Sequence, residues 1–126
     1  MSNLNLPSLS FPSLVLMGLS DGERRKLAYA TTVETATNDG DKGFAIRHHG
    51  TVIAFVGWKY VLLAAYPSQT TTARLHKVLR DNTHSSPWGI GIRQGRAEVR
   101  NRDDKSLNQH FNLITLDRST GQLSID

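Results

Sequence analysis

Apolar and polar positions alternate with a period of two along much of the chain, a pattern typical of β-strands. The alternating or mainly apolar segments are residues 24–37, 44–49, 51–56 and 59–66. Turn-forming residues at 38–43, Gly50 and Gly57 separate them, so we expect consecutive strands that pair as a meander. Residues 88–93 and 96–100 alternate on either side of Gln94-Gly95, which predicts a hairpin, and residues 111–116 predict a last strand.

One segment has the period of a helix instead. Leu75, Val78 and Leu79 are spaced as i, i+3 and i+4, which predicts one buried helical face. A threonine among residues 70–72 is expected to cap the helix, and Asn82 to end it. The sequence therefore predicts an α+β, mostly β fold: a small antiparallel sheet with one short helix, near residues 71–80, packed on it.

Three regions follow from this pattern. Residues 1–20 alternate leucines with Ser, Asn and Pro, and we expect an extended N-terminal arm because Pro7 and Pro12 interrupt a helix. The arm is too apolar to stay solvated, so it should pack on its own domain or across a homodimer. Residues 21–117 form the predicted β-rich domain, and residues 118–126 form a loosely held tail.

Positive charge is concentrated in the middle of the chain. The protein has 126 residues and a formal net charge of +4, yet residues 44–102 contain nine basic and two acidic residues, a net charge of +7. Strand alternation predicts that the arginines of the hairpin face away from its apolar side. Helical spacing predicts a basic ridge beside them. The predicted binding residues are Arg74, Lys77, Arg80, Arg93, Arg96, Arg100 and Arg102.

No arrangement typical of catalysis or metal binding is found in the sequence. The chain has no cysteine, which excludes thiol chemistry and zinc–cysteine sites. His48 and His49 are neighbours on a predicted strand, so they should face opposite sides, and His48 is interpreted as a hydrogen-bonded strand residue. We therefore expect no catalytic residues, no metal, no cofactor and no enzymatic activity. No segment is long and apolar enough for a membrane helix, so no membrane partner is expected.

Several short motifs resemble a small uncharacterised β-rich domain encoded by tailed bacteriophages. They are Arg25-Lys26-Leu27, the run Phe44-Ala45-Ile46-Arg47-His48-His49-Gly50-Thr51-Val52-Ile53, and Thr70-Thr71-Thr72-Ala73-Arg74-Leu75. The resemblance covers residues 24–80. It implies a phage protein with a β-rich fold and one helix, and it supplies no catalytic residues.

Two functions are consistent with these features. The first is a small non-enzymatic phage accessory protein in the host cytoplasm, whose basic face binds the phosphate backbone of nucleic acid or a host protein that handles nucleic acid. The second is an inhibitor of a host defence system, similar to an anti-CRISPR protein, that acts by direct protein–protein binding. A basic surface is also common on soluble proteins that have no polyanionic partner.

Overall fold

The computed structural model describes residues 6–126, which form two antiparallel sheets and two α-helices. The larger sheet has seven strands, in the spatial order β1 (Arg24–Ala28), β2 (Thr31–Asn38), β3 (Asp41–His48), β4 (Thr51–Gly57), β5 (Tyr60–Ala64), β9 (Leu113–Asp117) and β10 (Leu123–Ile125). The smaller sheet consists of β6 (Trp88–Arg93), β7 (Arg96–Asn101) and β8 (Gln109–His110). Helix α1 spans Phe11–Leu16, α2 spans Gln69–Asp81, and a 3₁₀ turn spans Lys105–Leu107.

The predicted fold class is confirmed, and the sheet is larger than predicted. The meander is longer than expected and contains β1 to β5. The segment 24–37, predicted as one strand, is divided into β1 and β2 by a turn at which Ala30 adopts φ +52°. Positive-φ pairs such as Asp39-Gly40 and His49-Gly50 provide the tight turns that follow. The sheet then continues with β9 and β10, which come after the second sheet in the sequence. This non-consecutive pairing joins the two ends of the β-rich region.

Helix α2 lies between the two sheets in sequence and contacts β4, β5 and β6. Its apolar residues Leu75, Val78 and Leu79 are fully buried, as predicted. Its N-cap is Ser68, whose hydroxyl accepts a hydrogen bond from the Thr71 amide at 3.1 Å, rather than a threonine at 70–72. Asn82 is the C-cap, which confirms the predicted end.

The N-terminal segment is packed on its own chain, but it is not extended throughout. Leu6, Leu9 and Leu14 are buried, and α1 occupies residues 11–16. The expectation that Pro12 prevents a helix is wrong because Pro12 is in the first turn, where a backbone N–H has no helical partner. Residues 1–5 of the predicted arm lie outside the described residues.

Two side chains at the end of α2 hold this segment in place. The Leu9 amide donates to the Asp81 carboxylate at 2.8 Å, and the Phe11 amide donates to the Asn82 side chain at 3.0 Å. The Asn82 amide group donates back to the Leu9 carbonyl at 3.0 Å. Packing within one chain is therefore observed for residues 6–16, and the homodimer stays a prediction.

The C-terminal tail is better ordered than expected. Residues 123–125 pair with β9 as an edge strand, and the backbone of Asp126 exchanges hydrogen bonds with Leu113. The expectation of a loosely held tail over 118–126 is therefore wrong for this strand. The reason is that Leu123 and Ile125 pack against the core and repay the cost of ordering the backbone.

Candidate nucleic-acid interface

The hairpin formed by β6 and β7 has an apolar face and a charged face. Ile90, Ala97 and Val99 are buried. The register places Arg93 opposite Arg96. The next two cross-strand pairs on the same face of the hairpin are Gly91–Glu98 and Gly89–Arg100. The side chains of Arg93, Arg96 and Arg100 are all exposed. The structure therefore brings these three predicted arginines together on one surface.

A buried carboxylate fixes two of these arginines. Only 3% of the Glu98 side chain is exposed, and its two oxygens accept from Arg93 Nε at 2.6 Å and Arg100 Nε at 2.8 Å. The hydrogen bond from Arg100, reinforced by Arg93, lowers the pKa of Glu98 below its ordinary value of 4.5 despite burial. Glu98 therefore stays ionised at neutral pH and orients both guanidinium groups.

Arg100 lies against the backbone of the neighbouring strand. Its Nη2 atom donates to the Ile92 carbonyl at 2.8 Å. A Cβ atom at Gly91 would be 2.5 Å from the Arg100 guanidinium carbon, so only glycine leaves space for this arrangement. The glycine in β6 therefore makes room for a charged side chain.

His76 of α2 reaches the same hairpin and presents a hydrogen-bond donor. The Ile90 amide donates to His76 Nδ1 at 3.1 Å, so this nitrogen carries no proton and Nε2 carries one. Burial, together with the charge of Arg80, lowers the pKa of His76. A Cβ atom at Gly89 would be 3.1 Å from the His76 ring, which explains the second glycine of the strand.

A groove of about 310 Å³ separates the end of α2 from the hairpin and the 3₁₀ turn. We call it the basic groove. No carboxylate is among the described residues that line it. Its charged and aromatic lining residues are His76, Arg80, Trp88, Arg100, Arg102 and Lys105. The structure thus brings together three of the predicted binding residues from two distant segments.

Lys105 was missed by sequence reasoning. It sits in a polar loop where Asp103 and Asp104 precede it, so its local charge environment is balanced. In the structure the Asp104 carboxylate is occupied by the amide and hydroxyl of Ser106, at 3.0 and 2.6 Å. Asp103 pairs with Arg102 in an exposed contact of 3.2 Å. Lys105 itself lines the groove.

The predicted basic ridge on α2 is wrong. Arg74 is fully buried, and Lys77 is largely covered and pairs with Asp81 at 2.9 Å. Of the three predicted helix residues only Arg80 is exposed. The cause is that α2 packs on the large sheet and on β6 at once, so its buried surface is wider than the Leu75–Val78–Leu79 stripe.

Comparison with known proteins places this chain in a phage family. A sequence profile of the family described as Kyanoviridae Gp96 protein matches residues 12–117, which is most of the chain. The chain belongs to this family. This confirms the predicted phage origin and extends it beyond residues 24–80. No curated protein and no solved structure matches the chain.

The matched region of this Gp96-family protein includes a buried polar network that explains the phage-like motifs. The Thr31 hydroxyl is within 3.0 Å of the Tyr29 carbonyl, accepts from Arg74 Nε at 3.2 Å, and shares a hydrogen bond with His48 Nδ1 at 3.0 Å. Arg47 pairs with Glu34 on the neighbouring strand. Three residues of the phage-like motifs, Arg47, His48 and Arg74, thus join β3 to β2 and α2 to β2, which indicates a structural role.

The two adjacent histidines are placed differently from each other. His48 of β3 is 4% exposed and hydrogen-bonded to Thr31 of β2, which confirms its interpretation as a hydrogen-bonded strand residue. Burial lowers its pKa, and the charges of His49 and Arg74 lower it further. His49 is in the turn with φ +51°, and the two ring centroids are 4.4 Å apart. The expectation that the rings face opposite sides is therefore wrong.

Neither a metal-binding cluster nor a membrane-spanning helix is found among residues 6–126. No group of three or more His, Cys, Asp or Glu side chains in this range is arranged to hold a metal ion. Within the same residues, no helix has the length and apolarity needed to cross a membrane.

Proposed function

We propose that this phage protein is a non-enzymatic accessory protein that binds the phosphate backbone of nucleic acid in the basic groove. The observation that supports the proposal is the convergence of Arg80, Arg100, Arg102 and Lys105 around one concave surface whose described lining residues include no carboxylate. Cations that surround a groove attract a polyanion and release its condensed counterions on binding.

The groove combines fixed and mobile cations. Glu98 and the Ile92 carbonyl hold Arg100, so this guanidinium loses little rotamer entropy when it contacts a phosphate. The His76 Nε2–H adds a neutral donor that can bind a phosphate oxygen. Arg80 and Lys105 are exposed and can adjust to the ligand. Arg93 and Arg96 extend the positive surface along the hairpin.

The test measures the affinity of the full-length protein for fluorescein-labelled DNA by anisotropy over a series of salt concentrations. Reversing Arg80→Glu and Lys105→Glu together should reduce the slope of log affinity against log salt by about two, one for each lost phosphate contact. Both side chains are exposed, so folding should be retained. Reversal of Arg100 is less suitable because a new carboxylate would lie beside Glu98.

A matched control separates the groove from net charge. Lys26→Glu with Lys42→Glu makes the same change in net charge at two exposed positions outside the groove. This control should keep most of the slope and affinity. Equal losses in the two double variants would contradict the proposal, as would the absence of DNA and RNA binding by the wild type. Capture of one host protein through the groove residues would instead support the inhibitor.

A further inference from the structure

The β4–β5 turn presents an exposed aromatic side chain on a rigid support. Trp58 is 66% exposed and Tyr60 is 42% exposed. The buried Asp41 carboxylate accepts from the amides of Lys59 and Tyr60, both at about 3.0–3.2 Å. Arg118 Nη1 donates to the Trp58 carbonyl at 2.7 Å. The turn is therefore fixed before any partner binds.

Contacts around the indole leave much of its surface open. Its ring meets Phe11 in an edge-on contact, with centroids 5.6 Å apart. The Arg118 guanidinium lies over the Phe11 ring, 4.8 Å from its centroid. The open part of the indole presents an apolar face together with an N–H donor, the combination that a stacked ligand can use.

Depressions that share lining residues lead from the basic groove to this turn. A cleft of about 710 Å³ shares Pro87 and Trp88 with the groove at one end and reaches Asp117 and Arg118 at the other. A second depression contains Trp58, Lys59 and Tyr60 and shares Asp117 and Arg118 with the cleft. One extended ligand can therefore follow the surface from the groove to Trp58.

The carboxylates along this path accept hydrogen bonds from donors of the same chain. Asp81 accepts from Lys77 Nζ at 2.9 Å and from the Leu9 amide at 2.8 Å. Asp117 accepts from the amide and hydroxyl of Ser119, at 2.9 and 2.7 Å, and these bonds lower its pKa. The charge of Asp81 is balanced by Lys77, whereas Asp117 stays ionised, and Lys59 and Arg118, which line the same depression as Asp117, provide positive charge near the turn.

We propose that the nucleic acid bound by this protein is single-stranded and that an unpaired base stacks on Trp58. This inference rests on the proposed function of the basic groove. A duplex keeps its bases stacked inside and presents only phosphates and groove edges to a protein. An exposed indole therefore adds little to the affinity for a duplex. A single strand offers a free base face to each aromatic ring, and cations beside the ring hold the backbone.

The experiment compares three probes with the full-length protein: oligothymidylate of roughly 16 nucleotides, a duplex of the same length, and inorganic polyphosphate. Trp58→Ala should weaken oligothymidylate binding about tenfold, the stacking loss for one base. Duplex and polyphosphate affinities should change by less than about twofold because neither presents an unpaired base. Trp58→Phe retains an aromatic plane and should restore most of the oligothymidylate affinity.

Tyr29→Ala is the matched control, since Tyr29 is 60% exposed and lies outside the described lining of the groove and the cleft. It should leave all three affinities unchanged. If Trp58→Ala weakens all probes equally, or none of them, stacking on Trp58 is refuted. If the variant of Arg80 and Lys105 loses binding while Trp58→Ala does not, the groove is retained and only this inference fails. If the wild type binds none of the probes, both proposals fail.

Discussion

Replacing Arg74 by alanine should destabilise the fold rather than weaken ligand binding directly. Arg74 is the largest fully buried side chain among the described residues. Its Nε atom donates to Thr31, which also contacts His48, so the side chain joins α2 to two strands of the large sheet. Burial lowers the pKa of its guanidinium, the direction expected when a charge leaves water.

The expected magnitude follows from two opposing effects. Truncating a buried side chain of this length to alanine leaves a cavity and costs about 2–5 kcal/mol in comparable cores. Removing a buried charge also removes its desolvation penalty, which offsets part of that cost. We therefore expect Arg74→Ala to lower the free energy of unfolding by about 2–3 kcal/mol. Arg74→Met keeps most of the volume without the charge and should cost less than about 1.5 kcal/mol.

Urea unfolding monitored by circular dichroism measures these differences. With a slope of about 1–3 kcal/mol per molar urea, the Arg74→Ala midpoint should fall by roughly 0.7–3 M. Arg80→Ala, at an exposed position of the same helix, should change stability by no more than about 0.5 kcal/mol. The reasoning would be refuted if Arg74→Ala and Arg80→Ala had the same small effect on stability. Equal small effects are what two solvent-exposed side chains would produce.

Three further predictions follow from particular contacts. Gly91→Ala should displace the Arg100 guanidinium and weaken DNA binding severalfold, measured by anisotropy; unchanged affinity would contradict the role of this position. Because the pKa of Glu98 is lowered, the stability it contributes is fully present above pH 4.5 and lost as pH falls through that lowered pKa. The stabilities of the wild type and Glu98→Gln, measured from unfolding curves, should therefore converge in acid. A stability difference that stays constant with pH would show that it does not come from the ionised carboxylate. Asn82→Ala removes the bond to the Phe11 amide and should cost about 1–3 kcal/mol, with faster proteolysis within residues 6–17; an unchanged cleavage rate would contradict this anchor.

Local sequence patterns predicted the fold class and much of its detail. The period of two in the hairpin depends only on which neighbours alternate, so the predicted faces of Ile90 and Arg100 were correct. The turn at Gln94-Gly95 was predicted because glycine readily supplies positive φ, and in the structure both residues adopt it. Phage origin was also evident from short motifs.

The composition of the candidate interface depended on contacts between distant segments. Arg74 follows the helical period of the basic ridge, yet packing of α2 on two sheets buries it. Lys105 belongs to a locally neutral loop, but the 3₁₀ turn places it in the lining of the same groove as Arg80 and Arg102. Charge patterns along a sequence identify basic segments, whereas the tertiary fold decides which cations share one surface.

The sequence alone thus determined the local elements, because strand and helix periods and turn residues act over a few neighbouring positions. It also determined the excess of positive charge in the middle of the chain. Only the tertiary structure decided that β9 and β10 join the meander, that Glu98 becomes a buried anchor for Arg100, and that Trp58 stays exposed. Each of these outcomes depends on which surfaces cover one another, and residues far apart in sequence supply those surfaces.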